Sequence, residues 1–152
     1  MQCRQIAFGS PEYALSLALR QKVLRQPLGV FLSQADLRGE DQQLHFGLFA
    51  EEGGLFAEED VRLLACLVIN PLSPSTAKLR QMAVAPDSQR QGLGQMLVKE
   101  TESFLKNRGM QTVELHARTS AMDFYKKLGY EPSGPVFSEV GIEHQRMWRQ
   151  LI

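Results

Sequence analysis

Apolar residues return along this chain with two alternating periods, and the switches between them mark its elements. Cys3–Phe8 has strand character and stops at Gly9; Ala14, Leu15, Ala18, Leu19 and Val23 then recur at helical spacing. Ser10 offers an N-cap oxygen and Pro11 sits where its missing N–H is no loss, so a helix is predicted from Pro11 to a break near Pro27 and Gly29. Val30–Asp41 has no clean period and reads as a loop with one irregular turn. Leu44–Ala50 and Val61–Ile69 read as strands, joined over Glu51–Asp60 by an acidic, glycine-bearing connection whose charge suits a solvated turn. After Pro71–Pro74 comes a strand over Ala77–Ala85. Leu93, Met96, Leu97, Phe104 and Leu105 then mark a helical stripe, with Lys106 and Arg108 near its end and Gly109 to stop it. Thr112–Ala117 is a strand. Ser120 and Asp123 resemble a capping box for a helix over Ala121–Leu128, which Gly129 ends. A short strand from Tyr130, a Gly/Pro loop and a last strand near Ile142–Leu151 follow. The order β-α-β-β-β-α-β-α-β-β predicts an α/β fold with a mixed sheet. There are no repeats or linkers, so residues 1–152 are expected to form a single domain.

Composition narrows the function classes. Seventeen Lys and Arg balance seventeen Asp and Glu, so no net field would recruit nucleic acid or an anionic membrane. The longest apolar runs, such as Leu63–Ile69, are too short to span a bilayer. No basic segment followed by an apolar stretch opens the chain, which leads to an expectation of cytoplasmic location. Cys3 and Cys66 are isolated in strand-like contexts and read as buried, reduced thiols. No His/Cys/Asp set has ligand spacing, so no metal is expected.

The chemistry concentrates in Val84–Gly94, which joins a strand to a helix through two glycines. Such a turn leaves main-chain N–H groups unpaired at the positive end of a helix, where a phosphate or diphosphate is held. A dinucleotide fold would want a third small residue where Leu97 stands, and a P-loop would want Gly-Lys-Ser/Thr, which is missing. Gln89-Arg90-Gln91-Gly92-Leu93-Gly94 instead resembles the coenzyme loop of the GNAT (Gcn5-related N-acetyltransferase) superfamily, Gln/Arg-x-x-Gly-x-Gly/Ala. Ala121-x-x-Phe124-Tyr125-Lys126-Lys127-Leu128-Gly129-Tyr130 resembles its second signature, Ala-x-x-x-Tyr-x-x-x-Gly-Phe/Tyr. The element order is the superfamily's too. The tail Phe137-Ser138-Glu139-Val140-Gly141-Ile142-Glu143-His144-x-x-Met147 is similar to that of the ElaA-like branch.

The resemblance implies a twisted sheet of about seven strands flanked by helices, splayed between the fourth and fifth strands, where acetyl-coenzyme A enters as a pseudo-strand. It implies that the main chain of Met82, Ala83 and Val84 binds the pantetheine. Gln89, Arg90, Gln91, Gly92, Leu93 and Gly94 would cradle the diphosphate. Arg90, Lys126 and Lys127 would add charge there, or be plain solvated surface. Arg118 falls where many members carry an asparagine that touches the coenzyme.

Acetyl transfer to an amine needs a base, a polarised thioester carbonyl and an acid for the departing thiolate. The resemblance assigns the acid to Tyr125, although Ala121, Phe124, Tyr125 and Leu128 share one helical face and Tyr125 also reads as packed core. Many members draw a glutamate from the fourth strand as base; here Arg80 and Gln81 stand nearby, and an amide takes no proton. His116, Glu139 and His144 are then the candidates, with a water chain as the other option. His45 reads as structural. An acceptor pocket would draw on Phe31, Leu32, Val136 and Phe137 and on Asp36, Glu40, Asp41 and Glu139. The expected function is acetyl-coenzyme A-dependent N-acetylation of a small-molecule or peptide amine. A non-catalytic acyl-coenzyme A sensor is the alternative, and a homodimer through strand edges stays open.

Overall fold

The structure, a computed structural model, describes residues 1–51 and 61–152. From residue 52 onward, the acidic connection predicted over Glu51–Asp60 lies outside the described residues. The elements are β1 (Gln2–Ile6), α1 (Pro11–Arg20), α2 (Gln34–Leu37), β2 (Leu44–Glu51), β3 (Val61–Pro71), β4 (Thr76–Val84), α3 (Leu93–Asn107), β5 (Thr112–Arg118), α4 (Met122–Lys127), β6 (Glu131–Glu139) and β7 (Ile142–Gln150). All seven strands belong to one mixed sheet in the order β1-β2-β3-β4-β5-β7-β6. The pairs β1–β2, β2–β3, β5–β7 and β6–β7 are antiparallel, while β4–β5 is parallel. Among the described residues no helix is long and apolar enough to cross a membrane.

The chain falls into two compact units. One comprises Met1–Asn70 with Gln81–Thr101, the other Pro71–Arg80 with Glu102–Ile152. In the first, β3 is buried without interruption from Leu63 to Ile69, the signature of a strand covered on both faces. Ile6, Tyr13, Leu19, Phe49, Cys66 and Ala83 pack into its core. In the second, β5 alternates instead, burying Val113, Leu115 and Ala117 and leaving His116 and Arg118 half-buried. Glu102 is buried there, accepting from Tyr130 Oη at 2.9 Å and Arg149 Nη1 at 2.7 Å.

β4 carries the feature that matters most for function. Its register with β5 runs from Thr76↔Thr112 to Leu79↔Leu115 and ends there, which is the splay the resemblance implied. Two residues on, Gln81 has a φ of +50° in the middle of the strand. A left-handed residue with a Cβ costs on the order of 1–3 kcal/mol and persists only where its surroundings enforce it.

Three elements differ from the sequence reading. The apolar stripe of α1 is only partly its buried face: Ala14, Leu15 and Ala18 are exposed, whereas Leu19 is buried together with Tyr13, Ser16 and Arg20. Leu15, Ala18, Leu19 and Lys22 instead line an open groove of about 560 Å³ with residues of β3 and Ala85–Asp87. The Ser120–Asp123 cap does not form, because a 3-10 turn over Thr119–Ala121 moves the start of α4 to Met122, with Ala121 at the N-cap and no capping side chain. β6 runs on through the segment read as a Gly/Pro loop, with a register shift between Ser133 and Phe137. It tolerates Pro132 and Pro135 because it is an edge strand.

Candidate active site

The segment Gln89–Gly94 leads from β4 into α3. After β4, Ala85–Ser88 forms a 3-10 turn that closes with Ser88 N donating to Ala85 O at 2.9 Å. Arg90 and Gly92 then take φ values of +65° and +75°, and no atom lies within 4 Å of the position a Gly92 Cβ would occupy. Met96 N donates to Gly92 O at 3.1 Å, so Gly92 caps α3. The N–H groups of Leu93, Gly94 and Gln95 precede the first intrahelical donor, Met96 N. No acidic residue sits in that first turn, and Gln89, Arg90, Gln91 and Gly92 are all exposed. The donors, the positive helix end and the Arg90 cation suit a dianionic diphosphate. Met82, Ala83 and Val84 close β4 within the same unit.

The second unit contains a cluster of titratable groups of its own. Val140 and Gly141 form a two-residue hairpin turn with φ of +49° and +75°, the type I′ pattern, which pairs Glu139 with Ile142. β7 lies between β5 and β6, so His144 is opposite Arg118 on one side and Phe137 on the other. His116, Glu139 and His144 thereby meet. His116 Nδ1 is 3.0 Å from Glu139 Oε1, and His144 Nε2 is 3.7 Å from Glu139 Oε2. Phe137 stands edge-on to His116 and stacks against His144.

The partners fix the ring protons. A carboxylate only accepts, so the Nδ1–H of His116 donates to Glu139 and its Nε2 is left with the lone pair. His144 donates Nδ1–H to the Ile142 carbonyl at 2.9 Å, and its Nε2 lies 3.7 Å from Glu139 Oε2, beyond hydrogen-bond distance. His116 thus has a basic nitrogen backed by a carboxylate, and its side chain is 30% exposed. Among the described residues no group of three or more His, Cys, Asp and Glu is arranged to hold a metal ion.

Tyr125 is buried on α4, with Phe124 and Tyr130 edge-on to its ring, and burial pushes its phenol well up from the usual value. The phenol therefore keeps its proton at neutral pH. Lys126 and Lys127 are exposed and Arg118 is half-buried.

All four carboxylates expected to face an acceptor already have partners: Glu139 has His116, Asp41 accepts from Gln42 Nε2 at 3.3 Å, and Asp36 and Glu40 are held by arginines. Asp36 accepts from Arg25 Nη2 at 2.9 Å and from the Ser33 amide at 2.9 Å, and Arg25 holds its carboxyl below the usual range. Glu40 is 1% exposed. It accepts from Arg20 Nη1 and Nη2 at 2.9 and 2.5 Å and from Tyr13 Oη at 2.6 Å. Arg20 in turn donates Nε–H to Gln81 Oε1 at 2.6 Å. Sequence reasoning missed this network. The available signal was the spacing of Tyr13, Ser16 and Arg20, which share a helix face. His45 is structural as expected, its Nε2 2.8 Å from the Glu40 carbonyl, and burial raises the Cys66 thiol to about 12.

Comparison with known proteins gives this geometry a context. The Bacillus subtilis protein YyaT is 37% identical over 76 residues, covering 50% of this chain and 51% of YyaT. The Escherichia coli [ribosomal protein bS18]-alanine N-acetyltransferase is 37% identical over 70 residues, covering 44% of this chain and 47% of that protein. The matches thus span about half the length of these curated relatives. The crystal structure of Escherichia coli ElaA superposes with a TM-score of 0.75 over 97% of this chain and 98% of ElaA, at 20% identity, a likeness of fold. A family model described as acetyltransferase (GNAT) domain matches residues 41–151, nearly three quarters of the sequence, and the chain belongs to that family.

Proposed function

We propose that this chain, working in the cytoplasm as one domain over residues 1–152, transfers the acetyl group of acetyl-coenzyme A to a primary amine of a small molecule or peptide. Attack is direct, in a ternary complex. The observation that carries the reading is the loop Gln89–Gly94. Two left-handed residues lead into a long helix whose first turn has no acid and whose opening N–H groups have no intrahelical acceptor. Its main chain holds the diphosphate, Arg90 adds charge, and the main-chain groups of Met82, Ala83 and Val84 hold the pantetheine amides. Arg118 contacts the coenzyme.

The coenzyme supplies an acetyl thioester; the chain supplies protons and their destinations. His116 Nε2 takes the proton from the amine as nitrogen bonds to the acetyl carbon. Glu139 stabilises the imidazolium through Nδ1–H, with His144 as its second neighbour at 3.7 Å. An N–H of Met82 or Ala83 polarises the carbonyl. As the C–S bond breaks, the Tyr125 hydroxyl gives its proton to sulfur. The cluster replaces a fourth-strand carboxylate, because Gln81 has none. That a relative acts on the alanine of a ribosomal protein supports the amine class of acceptor.

The test is calorimetry with acetyl-coenzyme A, then thiol release against a panel of small and peptide amines, with Tyr125→Phe as control. Release with one acceptor and its loss in Tyr125→Phe are expected. Tight binding with no release on any amine would turn the reading to a sensor, and absence of binding would end both.

A further inference from the structure

Gln81 adopts a conformation that both its Cβ and its place in a strand disfavour, so something must hold it. The holder is Arg20, whose Nε–H meets the Gln81 amide oxygen at 2.6 Å. Arg20 is fully buried at the C-terminal end of α1, and its guanidinium has no freedom to turn. Nη1 and Nη2 grip the two oxygens of Glu40, which the Tyr13 hydroxyl also fixes. The N–H groups of a guanidinium are coplanar with set directions, so fixing two of its nitrogens aims the third. Gln81 comes to that donor, one residue past Arg80 and immediately before Met82–Val84.

We propose that Arg20 is a positioning residue for coenzyme binding. Through Gln81 it locks the left-handed kink in β4 and so sets the direction of the main-chain groups of Met82, Ala83 and Val84. What those groups bind rests on the function proposed above. Without the tether, residue 81 relaxes toward extended φ and the following peptide planes rotate. The contact also assigns Gln81 its work: an amide oxygen serves as acceptor for a buried cation whose charge Glu40 balances. All four residues, Tyr13, Arg20, Glu40 and Gln81, lie in the first unit.

The experiment measures coenzyme A affinity by calorimetry, and hydrogen–deuterium exchange at Met82–Val84, in the full chain and its variants. Gln81→Ala is expected to weaken coenzyme A on the order of tenfold, as a small misplacement of binding groups does. It should also speed exchange at Met82–Val84, with a fall of several degrees in melting temperature from the orphaned Nε–H of Arg20 and the chain still folded. Gln81→Glu keeps an acceptor for Nε and should restore most of the affinity. Arg20→Lys, which lacks the Nε–H, should behave like Gln81→Ala; if it fails to fold, the Gln81 variants decide. Parental affinity in Gln81→Ala overturns the proposal. So does weaker binding without faster exchange, since the Gln81 side chain would then be touching the coenzyme itself. If the parent binds no coenzyme A, the function reading fails on its own account. Exchange alone then judges the tether: faster in Gln81→Ala sustains it, unchanged overturns it.

Discussion

Glu40 and Glu139 each have two side chains beside their carboxylates, yet they stand in opposite environments. Glu40 is sealed in the first unit, with both oxygens bonded to a fully buried arginine and a tyrosine added to one of them. Glu139 is on an edge strand of the second unit, its side chain 45% exposed, with one histidine at 3.0 Å and another at 3.7 Å. Burial separates their uses. A sealed, saturated ion pair is costly to move or discharge and so serves to hold geometry. A half-exposed carboxylate beside imidazoles can gain and lose a proton partner in each turnover, which is what general base work requires.

The sharpest way to break this contrast is Glu40→Gln, which is nearly isosteric and removes only charge. It leaves Arg20 buried with an uncompensated cation, and loss of one partner of such a pair costs about 3–5 kcal/mol. Urea denaturation should show the midpoint falling at unchanged slope. A loss under about 1 kcal/mol would mean the pair is not isolated from water, and the contrast with Glu139 would disappear.

The two sites were not equally legible in the sequence. The loop Gln89–Gly94 was readable because glycine and helix-start chemistry are local: Gly92 with positive φ and α3 opening at Leu93 lie where the spacing put them. His116, Glu139 and His144 were readable as candidates, and a two-residue turn at Val140–Gly141 fixes the register that joins Glu139 to His144. The Glu40 network was not. Glu40 looked like one of several acids in an aperiodic segment, and the apolar count on α1 favoured Leu15 and Ala18 over Tyr13, Ser16 and Arg20. A buried ion pair depends on partners 20 and 61 residues apart from Arg20, which no local period reveals. The left-handed φ of Gln81 is equally hidden, because no glycine marks it.

A second prediction tests the exposed side of the contrast. His116→Ala removes the basic nitrogen from a half-exposed strand position and should leave the urea midpoint almost unchanged. Turnover with a competent amine should drop about 100-fold, the low end for loss of a general base and about 2.7 kcal/mol of barrier. Glu139→Gln should cost less, because His116 Nε2 remains and only its support is altered. Should both variants keep full turnover over the pH range, protons must leave through water, and the cluster is structural.

The smallest effect belongs to Tyr13, whose hydroxyl donates to Glu40 Oε1 at 2.6 Å. Tyr13→Phe leaves that oxygen still bonded to Arg20 Nη1, so no acceptor is orphaned, and the cost should be about 1–1.5 kcal/mol. Its pH dependence carries the more specific test. Burial first, and the bond to Glu40 second, raise the Tyr13 phenol to about 12, above the unfolded value of about 10. The native state therefore keeps this proton where the unfolded chain loses it. By linkage the associated stability is complete below about pH 10 and is lost as pH climbs through the folded value. Tyr125 and Tyr130 are raised as well and contribute alkaline loss of their own, which survives in Tyr13→Phe. The quantity to follow is the difference in urea midpoint between parent and Tyr13→Phe, measured at about pH 9 and again at about pH 11. A sealed Tyr13–Glu40–Arg20 network requires that difference to shrink at the higher pH; a constant difference would show that water already reaches Glu40 in the native state.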